Sequence, residues 1–440
     1  MNLLKKAILL KNHSGFRKYF DNTSWLLMER IVRMVVALFV GVYIARYLGP
    51  ERFGLLSYAN SFVGLFLALA TLGIDSIVIR ELVKRPECSG EILGTAFGLK
   101  ICGTIFMWFA ILLTVPFTEN DNQTNVFISI IAFAILFQAF NVIDFNYQAE
   151  VKSKYVVHVQ FIQLFITSIT KLFLIYIKAP LLWFVGVYCF DALFLAVGLV
   201  VMYLLTSGNI GLWRWKWEVA RELLKDCWPL IFSGVLVSIY VNIDQVMIKE
   251  MIGVKDVGLY SVATRLSTVW YFIPIAVTDS VFPAILNAKN NNLAFYYQRL
   301  QNLYDILVWI AILIALAILF FSEYIIDLMV GQEYTPAASV LSIAIFAGIF
   351  TNIGLINNKF FTAENRQKDI LYRSLLGVSV NIILNIILIE KFGINGAALA
   401  TISAQFSTSL VYTYLKKDSR VLFFMFLKCF DARRIFQRRI

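Results

Sequence analysis

The stretch VYIARYLGPERFGLLSYA at Val42–Ala59 decides how this chain is read, because VMIKEMIGVKDVGLYSVA at Val246–Ala263 repeats its frame. Val42, Ile44, Gly49, Gly54, Leu55, Ser57 and Ala59 return as Val246, Ile248, Gly253, Gly258, Leu259, Ser261 and Ala263. Further out, Asp75, Ser76 and Leu82 return as Asp279, Ser280 and Leu286, at the same spacing of 204 residues. Apolar segments resemble one another by composition alone, so the valines and leucines carry little weight. The paired glycines and the Asp-Ser pair set in an apolar run carry more. Internal duplication of this kind marks transporter folds.

The rest of the chain suits that reading. Of 440 residues, 60% are hydrophobic and only 15% charged, where soluble domains carry about a quarter charged residues. This is the composition of a multi-spanning membrane protein. The net charge of +11 is therefore read against lipid topology, and no compact basic domain exists to bind nucleic acid. Five cysteines, Cys88, Cys102, Cys189, Cys227 and Cys429, show no CxxC spacing, so neither a disulfide framework nor a zinc site is expected. His13 and His158 are the only histidines. The apolar run after Lys5 and Lys6 is broken at Lys11, too short for a cleavable signal peptide. The first span is expected to direct insertion.

A spanning helix needs about 20 mostly apolar residues. Twelve segments qualify, near 24–47, 54–83, 91–116, 123–146, 155–178, 181–206, 228–250, 257–286, 296–321, 335–359, 370–389 and 395–415. Most of the 39 basic residues then fall on the side that holds the N-terminus, from Lys5 through Lys84 and Arg85 to Arg433, Arg434, Arg438 and Arg439. The opposite loops carry Arg46, Arg52, Lys178, Lys249, Lys255 and Lys391, with Glu119, Asp121, Glu323, Asp327 and Glu333. By the positive-inside rule both termini are cytoplasmic.

An offset of six spans puts both copies of the repeat in the same orientation. The expected fold is all-α: twelve transmembrane helices in two pseudo-symmetric, parallel six-helix lobes around a central cavity. The expected organisation is a cytoplasmic segment 1–23, an N-lobe 24–206, a linker 207–227, a C-lobe 228–415 and a basic tail 416–440. In the linker, Trp213, Arg214, Trp215, Lys216 and Trp217 alternate indole and base, a pattern suited to lying in the headgroup layer. The apolar run Val421–Leu427 is too short to span, and with the basic residues after it reads as an interfacial helix on the anionic leaflet. Pro229, Pro274 and Pro283 mark bends in spans 7 and 8.

Ionisable residues inside spans carry the functional argument. They include Glu29, Arg30, Arg33, Asp75, Lys100, Asp144, Lys171, Asp191, Asp244, Arg265, Asp279 and Asp305. A charge at the bilayer centre costs at least ~2.5–3.5 kcal/mol, so such groups face a wet cavity or a partner. The spacing lets Glu29 pair with Arg33 and leaves Arg30 in excess. Lys100 lies about 14 Å deep at 1.5 Å per residue, and Arg265 is similarly placed from the other side. Arg30, Arg33, Lys100 and Arg265 are the candidate substrate contacts. Asp244, in Asn242-Ile243-Asp244-Gln245, is a candidate for coupling to Na+ or a proton, as are the repeat-related Asp75 and Asp279. Asn381 and Asn385 share one face of span 11, and Asn352, Asn357 and Asn358 lie in span 10. Their expected role is hydrogen bonding between helices, with sugar contact as the alternative. No catalytic residue, resident metal or organic cofactor is expected.

Two segments carry a family resemblance. Tyr47-Leu48-Gly49-Pro50-Glu51-Arg52-Phe53-Gly54 resembles the start of bacterial polysaccharide flippases. The late segment from Asn381 to Asn385 and on through Phe392-Gly393-Ile394-Asn395-Gly396-Ala397-Ala398-Leu399-Ala400-Thr401 does so too. The chain is similar to the multidrug/oligosaccharidyl-lipid/polysaccharide exporter superfamily (MOP, which includes MATE transporters), and nearest to its O-antigen (Wzx-type) flippases. The resemblance implies movement of an undecaprenyl- or other polyprenyl-pyrophosphate-linked oligosaccharide from the cytoplasmic to the outer leaflet of the bacterial inner membrane. Membrane lipids and polysaccharide assembly machinery are the implied partners. Related flippases keep basic residues in helices 1 and 8, where Arg30 and Arg265 fall. The acids outnumber the bases within the spans, so a strongly cationic lumen is not implied by count.

Rival readings make different demands. A drug or cation antiporter of the same superfamily would want uncompensated acids in the lumen, which Lys100 and Arg265 oppose. A lipid II flippase often carries two further helices. A major-facilitator transporter would show its basic signature between spans 2 and 3, absent from Arg80–Glu91. A membrane glycan polymerase or ligase would present a sizeable outer loop with catalytic residues, and the outer loops here are short and contain no histidine.

Overall fold

The computed structural model describes residues 14–206 and 208–431, so the extreme tails, with Arg433, Arg434, Arg438 and Arg439, lie outside the described residues. Ten helical stretches among the described residues are long and apolar enough to cross a membrane. The first holds two expected spans, since α1 (Ser14–Thr71) is a pair of helices joined at Gly49, whose φ is 70° and ψ 169°. Pro50 excludes the helical conformation from the residue before it, glycine tolerates the positive φ, and Pro50 then opens the next helix.

The second span differs from its expected 54–83. Leu72 and Gly73 adopt φ values of 53° and 57°, and a new helix, α2 (Asp75–Lys84), follows. Gly73 sits where a Cβ would lie 3.1 Å from Leu230 Cβ, so close approach of a neighbouring helix fixes the break. Span 8 is likewise divided, into α9 (Val254–Thr268) and α10 (Phe272–Asn291), with a 3-10 turn at Val269–Tyr271. Pro274 falls in the first turn of α10, where a missing N–H costs little, while Pro283 lies inside it.

The helices pack into two compact units. One gathers the residues through Tyr47 with Ala59–Ser238; the other gathers Leu48–Tyr58 with Ile239 onward.

The first unit contains α3 (Ser89–Thr114), α4 (Asn122–Ala134), α5 (Val142–Ala149), α6 (Lys154–Tyr176) and α7 (Leu181–Leu205). Its core is apolar, with Ile74, Val78, Leu93, Ala96, Val142 and Ile143 buried together. The linker is seated on α3. Gly90, Gly94 and Gly98 form a strip along that helix, and a Cβ there would lie 2.6 Å from Leu212 O, 2.5 Å from Arg214 N and 2.7 Å from Trp215 Cε3. The spacing of four keeps all three on one face. Arg214 N donates to Gly90 O at 3.2 Å, and Lys216 N to Thr95 Oγ1 at 3.0 Å. Lys216 Nζ lies 2.5 Å from Glu91 Oε1, a bond that raises the ammonium above its ordinary pKa. Trp215 and Trp217 nevertheless stay exposed. From Trp217 the chain is already helical, in α8 (Trp217–Met251).

The second unit contains the rest of α8, α9, α10, α11 (Leu293–Met329), α12 (Ala337–Ala344), α13 (Ala347–Ala363), α14 (Gln367–Phe392) and α15 (Ile394–Phe406). Leu303, Tyr304, Leu307, Ile353, Ile356 and Phe361 form its main core. After α15 the last span continues through a π-helical turn, Ser407–Val411, into α16 (Tyr412–Leu415). Arg373 is buried against this turn, donating from Nε to Thr408 O at 2.7 Å and from Nη1 to Asn358 Oδ1 at 2.9 Å. The tail run forms α17 (Arg420–Lys428), with Leu422 and Met425 buried.

Candidate functional site

In the first unit the expected residues fall into two clusters. Glu29 and Arg33 pair across one turn of α1. Arg33 then reaches Gln163 Oε1 on α6 at 3.5 Å from both terminal nitrogens, and Gln163 donates to Asp191 on α7. Glu29 and Gln163 are buried, so Arg33 is fixed in a chain of polar side chains that ties α1 to the far helices of its unit. Arg30 is exposed and carries no hydrogen bond or ion pair among the described residues.

Lys100 anchors the second cluster. It is 4% exposed, its Nζ lies 3.0 Å from Asp75 Oδ1, and it sits 4.7 Å above the Phe145 ring. A buried ammonium needs such compensation, and the ring face adds a second favourable contact. Asp144 feels the charges of Asp75, Glu29 and Lys100, so α1, α2, α3 and α5 bring their charges into one neighbourhood. Asp75 itself is half exposed.

The second unit repeats part of this arrangement. Asp279 Oδ1 is 2.7 Å from Lys359 Nζ on α13, and Lys359 lies 5.4 Å above Phe282. Both repeat-related aspartates thus hold a lysine that also rests on a phenylalanine. Sequence reading did not find Lys359, because the lysine comes from span 3 in one copy and span 10 in the other. Arg265 is exposed on α9, its guanidinium 5.2 Å above Phe53, with no ion pair among the described residues.

Asp244 has a different environment. It is buried on α8 and accepts three hydrogen bonds, each from a neutral donor. Tyr260 Oη and Thr401 Oγ1 donate to Oδ2 at 2.6 Å each, and Asn385 Nδ2 donates to Oδ1 at 2.7 Å. Asn385 Nδ2 also lies 3.3 Å from Asn381 Oδ1. Asn385 Oδ1 and Asn381 Nδ2 are buried without a partner. No lysine or arginine pairs with Asp244 among the described residues. A buried carboxylate surrounded only by neutral dipoles still lacks a positive charge, and of the two orphaned amide atoms the oxygen, Asn385 Oδ1, is the one a bound cation would satisfy. The oxygens of Asp244, Asn385, Asn381 and Thr401 are hard donors of the type alkali and alkaline-earth ions prefer. The four residues come from α8, α14 and α15, so their convergence is invisible in sequence, although Asp244 and the Asn381/Asn385 face each stood out separately.

The amides of span 10 take structural positions. Asn352 Nδ2 donates to Leu307 O at 3.2 Å, and Asn357 Nδ2 to Ser409 O at 2.9 Å. Each joins α13 to a neighbouring helix.

Comparison with known proteins adds a family context. A family described as "Polysaccharide biosynthesis protein" matches residues 19–289, and the MatE family matches 229–387. The chain is 27% identical over 209 residues to a "Probable low-salt glycan biosynthesis flippase Agl15" of Haloferax volcanii, a match covering 46% of this chain and 44% of that protein. It is 22% identical over 412 residues to the "Capsular polysaccharide biosynthesis protein CapF" of Staphylococcus aureus, covering 90% of this chain and 98% of that one. Among solved structures, "Lipid II flippase MurJ, inward closed conformation" aligns with a TM-score of 0.69 at 17% identity, covering 91% of this chain and 90% of that chain. An inward-facing MATE transporter of the MOP superfamily aligns with a TM-score of 0.67 at 14% identity, over 90% of this chain and 93% of that chain. At these identities the structural likeness establishes the fold.

Proposed function

The chain belongs to the polysaccharide biosynthesis protein family, and on that premise we propose that it is a flippase for a lipid-linked oligosaccharide. It is a multi-pass membrane protein with the helical fold of the MOP exporters. The cargo we assign is a polyprenyl-pyrophosphate-linked repeat unit, with undecaprenyl as the carrier. It passes from the cytoplasmic to the outer leaflet of the bacterial inner membrane, by alternating access, with both chain termini in the cytoplasm.

The observation that carries this reading is the set of charged side chains left exposed within membrane-spanning helices: Arg30, Asp75, Arg265 and Asp279. Ionised groups within spanning helices favour a wet passage. A pyrophosphate-linked sugar needs one too, while an isoprenoid tail remains in lipid. Arg30 and Arg265 are the open guanidinium groups, able to bind a phosphate bidentately. Arg33 and Lys100 already hold carboxylates and would exchange them for the cargo's charge. Lys359, held by Asp279, joins this set. The mixed signs suit a head that carries both anionic phosphate and neutral sugar.

Asp244 is the residue we assign to coupling. Its lack of a paired cation among the described residues and the orphaned Asn385 Oδ1 beside it support capture of Na+ or a proton, and cation release would return the carboxylate to an uncompensated state. Asp75 and Asp279, each holding a lysine, act as counter-ions in this scheme. The chain makes and breaks no bond in the cargo and is not an enzyme.

The drug-antiporter reading draws on the MatE match over 229–387. The guanidinium groups of Arg30 and Arg265, unpaired among the described residues, disfavour it, because an organic cation would be repelled there. The test is to remove the protein and locate its lipid-linked sugar by leaflet. The expected result is accumulation on the cytoplasmic leaflet with export stopped. Translocated but unpolymerised units outside would transfer the role to a polymerase.

A further inference from the structure

The short helix α17 follows the last span and has no part in the sites above. Its inner face is clamped. Gln301 Nε2 donates to Met425 O at 2.8 Å and Trp309 Nε1 to Cys429 O at 3.2 Å, so side chains of α11 satisfy carbonyls that a helix end leaves open. Leu422, Met425 and Cys429 are buried against that helix.

The outer face is apolar and open. Phe424 and Leu427 are about half exposed, and between α17 and Tyr297 of α11 lies a cavity of about 770 Å³ lined by Val421, Phe424 and Leu427, with Arg420 and Lys428. Two cations stand against one carboxylate, Asp431, among the lining residues. Lys428 in the last turn suits the helix dipole. Arg420 in the first turn opposes it, so helix stability does not explain the position. Arg420 is exposed; its Nε donates to Tyr414 O at 2.9 Å and its guanidinium lies over the Tyr414 ring. This geometry holds the arginine in the lining of the cavity, with its terminal nitrogens uncommitted among the described residues.

We propose that this groove binds one anionic phospholipid of the cytoplasmic leaflet. An acyl chain lies along Val421, Phe424 and Leu427, the phosphate meets the Arg420 guanidinium, and Lys428 adds a second attraction. The charge complementarity of an apolar groove with basic ends favours a phospholipid over a protein partner, whose docking would bring polar groups to the floor. The inference rests on the cytoplasmic placement of the C-terminus proposed above. Its test reads lipid binding rather than transport, so the two can fail separately.

Purified full-length protein, stripped of lipid and equilibrated with equal amounts of phosphatidylglycerol and phosphatidylcholine, is assayed by native mass spectrometry. Wild type is expected to retain phosphatidylglycerol over phosphatidylcholine by at least about fivefold, the effect of one basic group at an anionic surface. R420Q/K428Q brings the ratio to near parity, and R420K keeps it. The tail variant R433Q/R434Q/R438Q/R439Q also keeps it. Parity in wild type, a preference that survives R420Q/K428Q, or one lost in the tail variant alone would overturn the proposal. So would displacement of the bound phospholipid by an equimolar polyprenyl phosphate, which would make the groove a carrier site.

Discussion

Gly54 and Gly258, equivalent positions of the internal repeat, lie backbone against backbone. A Cβ on Gly54 would meet Val254 O at 1.9 Å, and one on Gly258 would meet Pro50 O at 1.9 Å. Val254 and Pro50 are themselves equivalent, each four residues before its glycine. The contact is reciprocal, as in a two-fold interface, and both partners lie in the second compact unit. Glycine is required here for close approach, since both residues are helical and their φ is ordinary.

G54A and G258A should each lower the thermal unfolding temperature, by an amount equivalent to roughly 1–3 kcal/mol of overpacking. The double variant should cost less than the sum, because both substitutions force apart one shared contact. Wild-type stability in either single variant, read by thermal unfolding in detergent, would show that the crossing has slack.

D244N keeps the size of the side chain and removes its charge. Cation binding by the purified protein, followed with radioactive sodium or by proton release, should weaken by at least about tenfold, or ~1.4 kcal/mol. Unfolding temperature without added cation should hold or rise, because a buried uncompensated charge has gone. Unchanged sodium and proton dependence of flipping would move coupling elsewhere.

R265A and R30A remove exposed groups with no ion pair among the described residues, so flipping should fall several-fold at unchanged protein level and unfolding temperature. Reconstituted vesicles carrying a lipid-linked sugar provide the assay. Full activity in both variants would take these arginines out of the substrate path.

K100A should behave differently, losing stability as well as transport. Lys100 is buried beside Asp75, although half of Asp75 is open to solvent, which reduces the cost to the order of 1–2 kcal/mol. D75N in the K100A background should recover part of the stability without recovering transport. Equal unfolding temperatures for K100A and wild type would mean the pair contributes nothing to folding.

Much of the fold was legible because hydrophobic length and charge asymmetry are local properties of the chain. The Tyr47–Gly54 segment announced its bend through Gly49 and Pro50. The breaks at Leu72–Gly73 and Val269–Tyr271 were hidden, since they answer to helices that approach from elsewhere, as Leu230 does at Gly73. The charged candidates were visible as exceptions in apolar runs, and the Glu29–Arg33 pair followed from helical spacing. The partners of Lys100 and Asp244 were not, because Asp75, Tyr260, Asn385 and Thr401 reach them across helices. Lys359 escaped notice for a further reason: it stands at the end of its span, where a lysine is unremarkable.

The seating of Leu212–Lys216 on the glycine strip of α3 also changes what the connection between the two halves of the sequence is mechanically. A slack tether tolerates added length, at a cost that grows only slowly with each residue. A seated strand does not, because every glycine of the strip from Gly90 to Gly98 faces a fixed counterpart. The chain passes between the compact units at Tyr47–Leu48 and Tyr58–Ala59 in α1, and then inside α8, between Ser238 and Ile239, well past this connector; this last is the division in the second half of the sequence. Each of these passages is thus made within a helical stretch, α1 or α8. Pro229, which removes one rung of α8, softens it nine residues before the division.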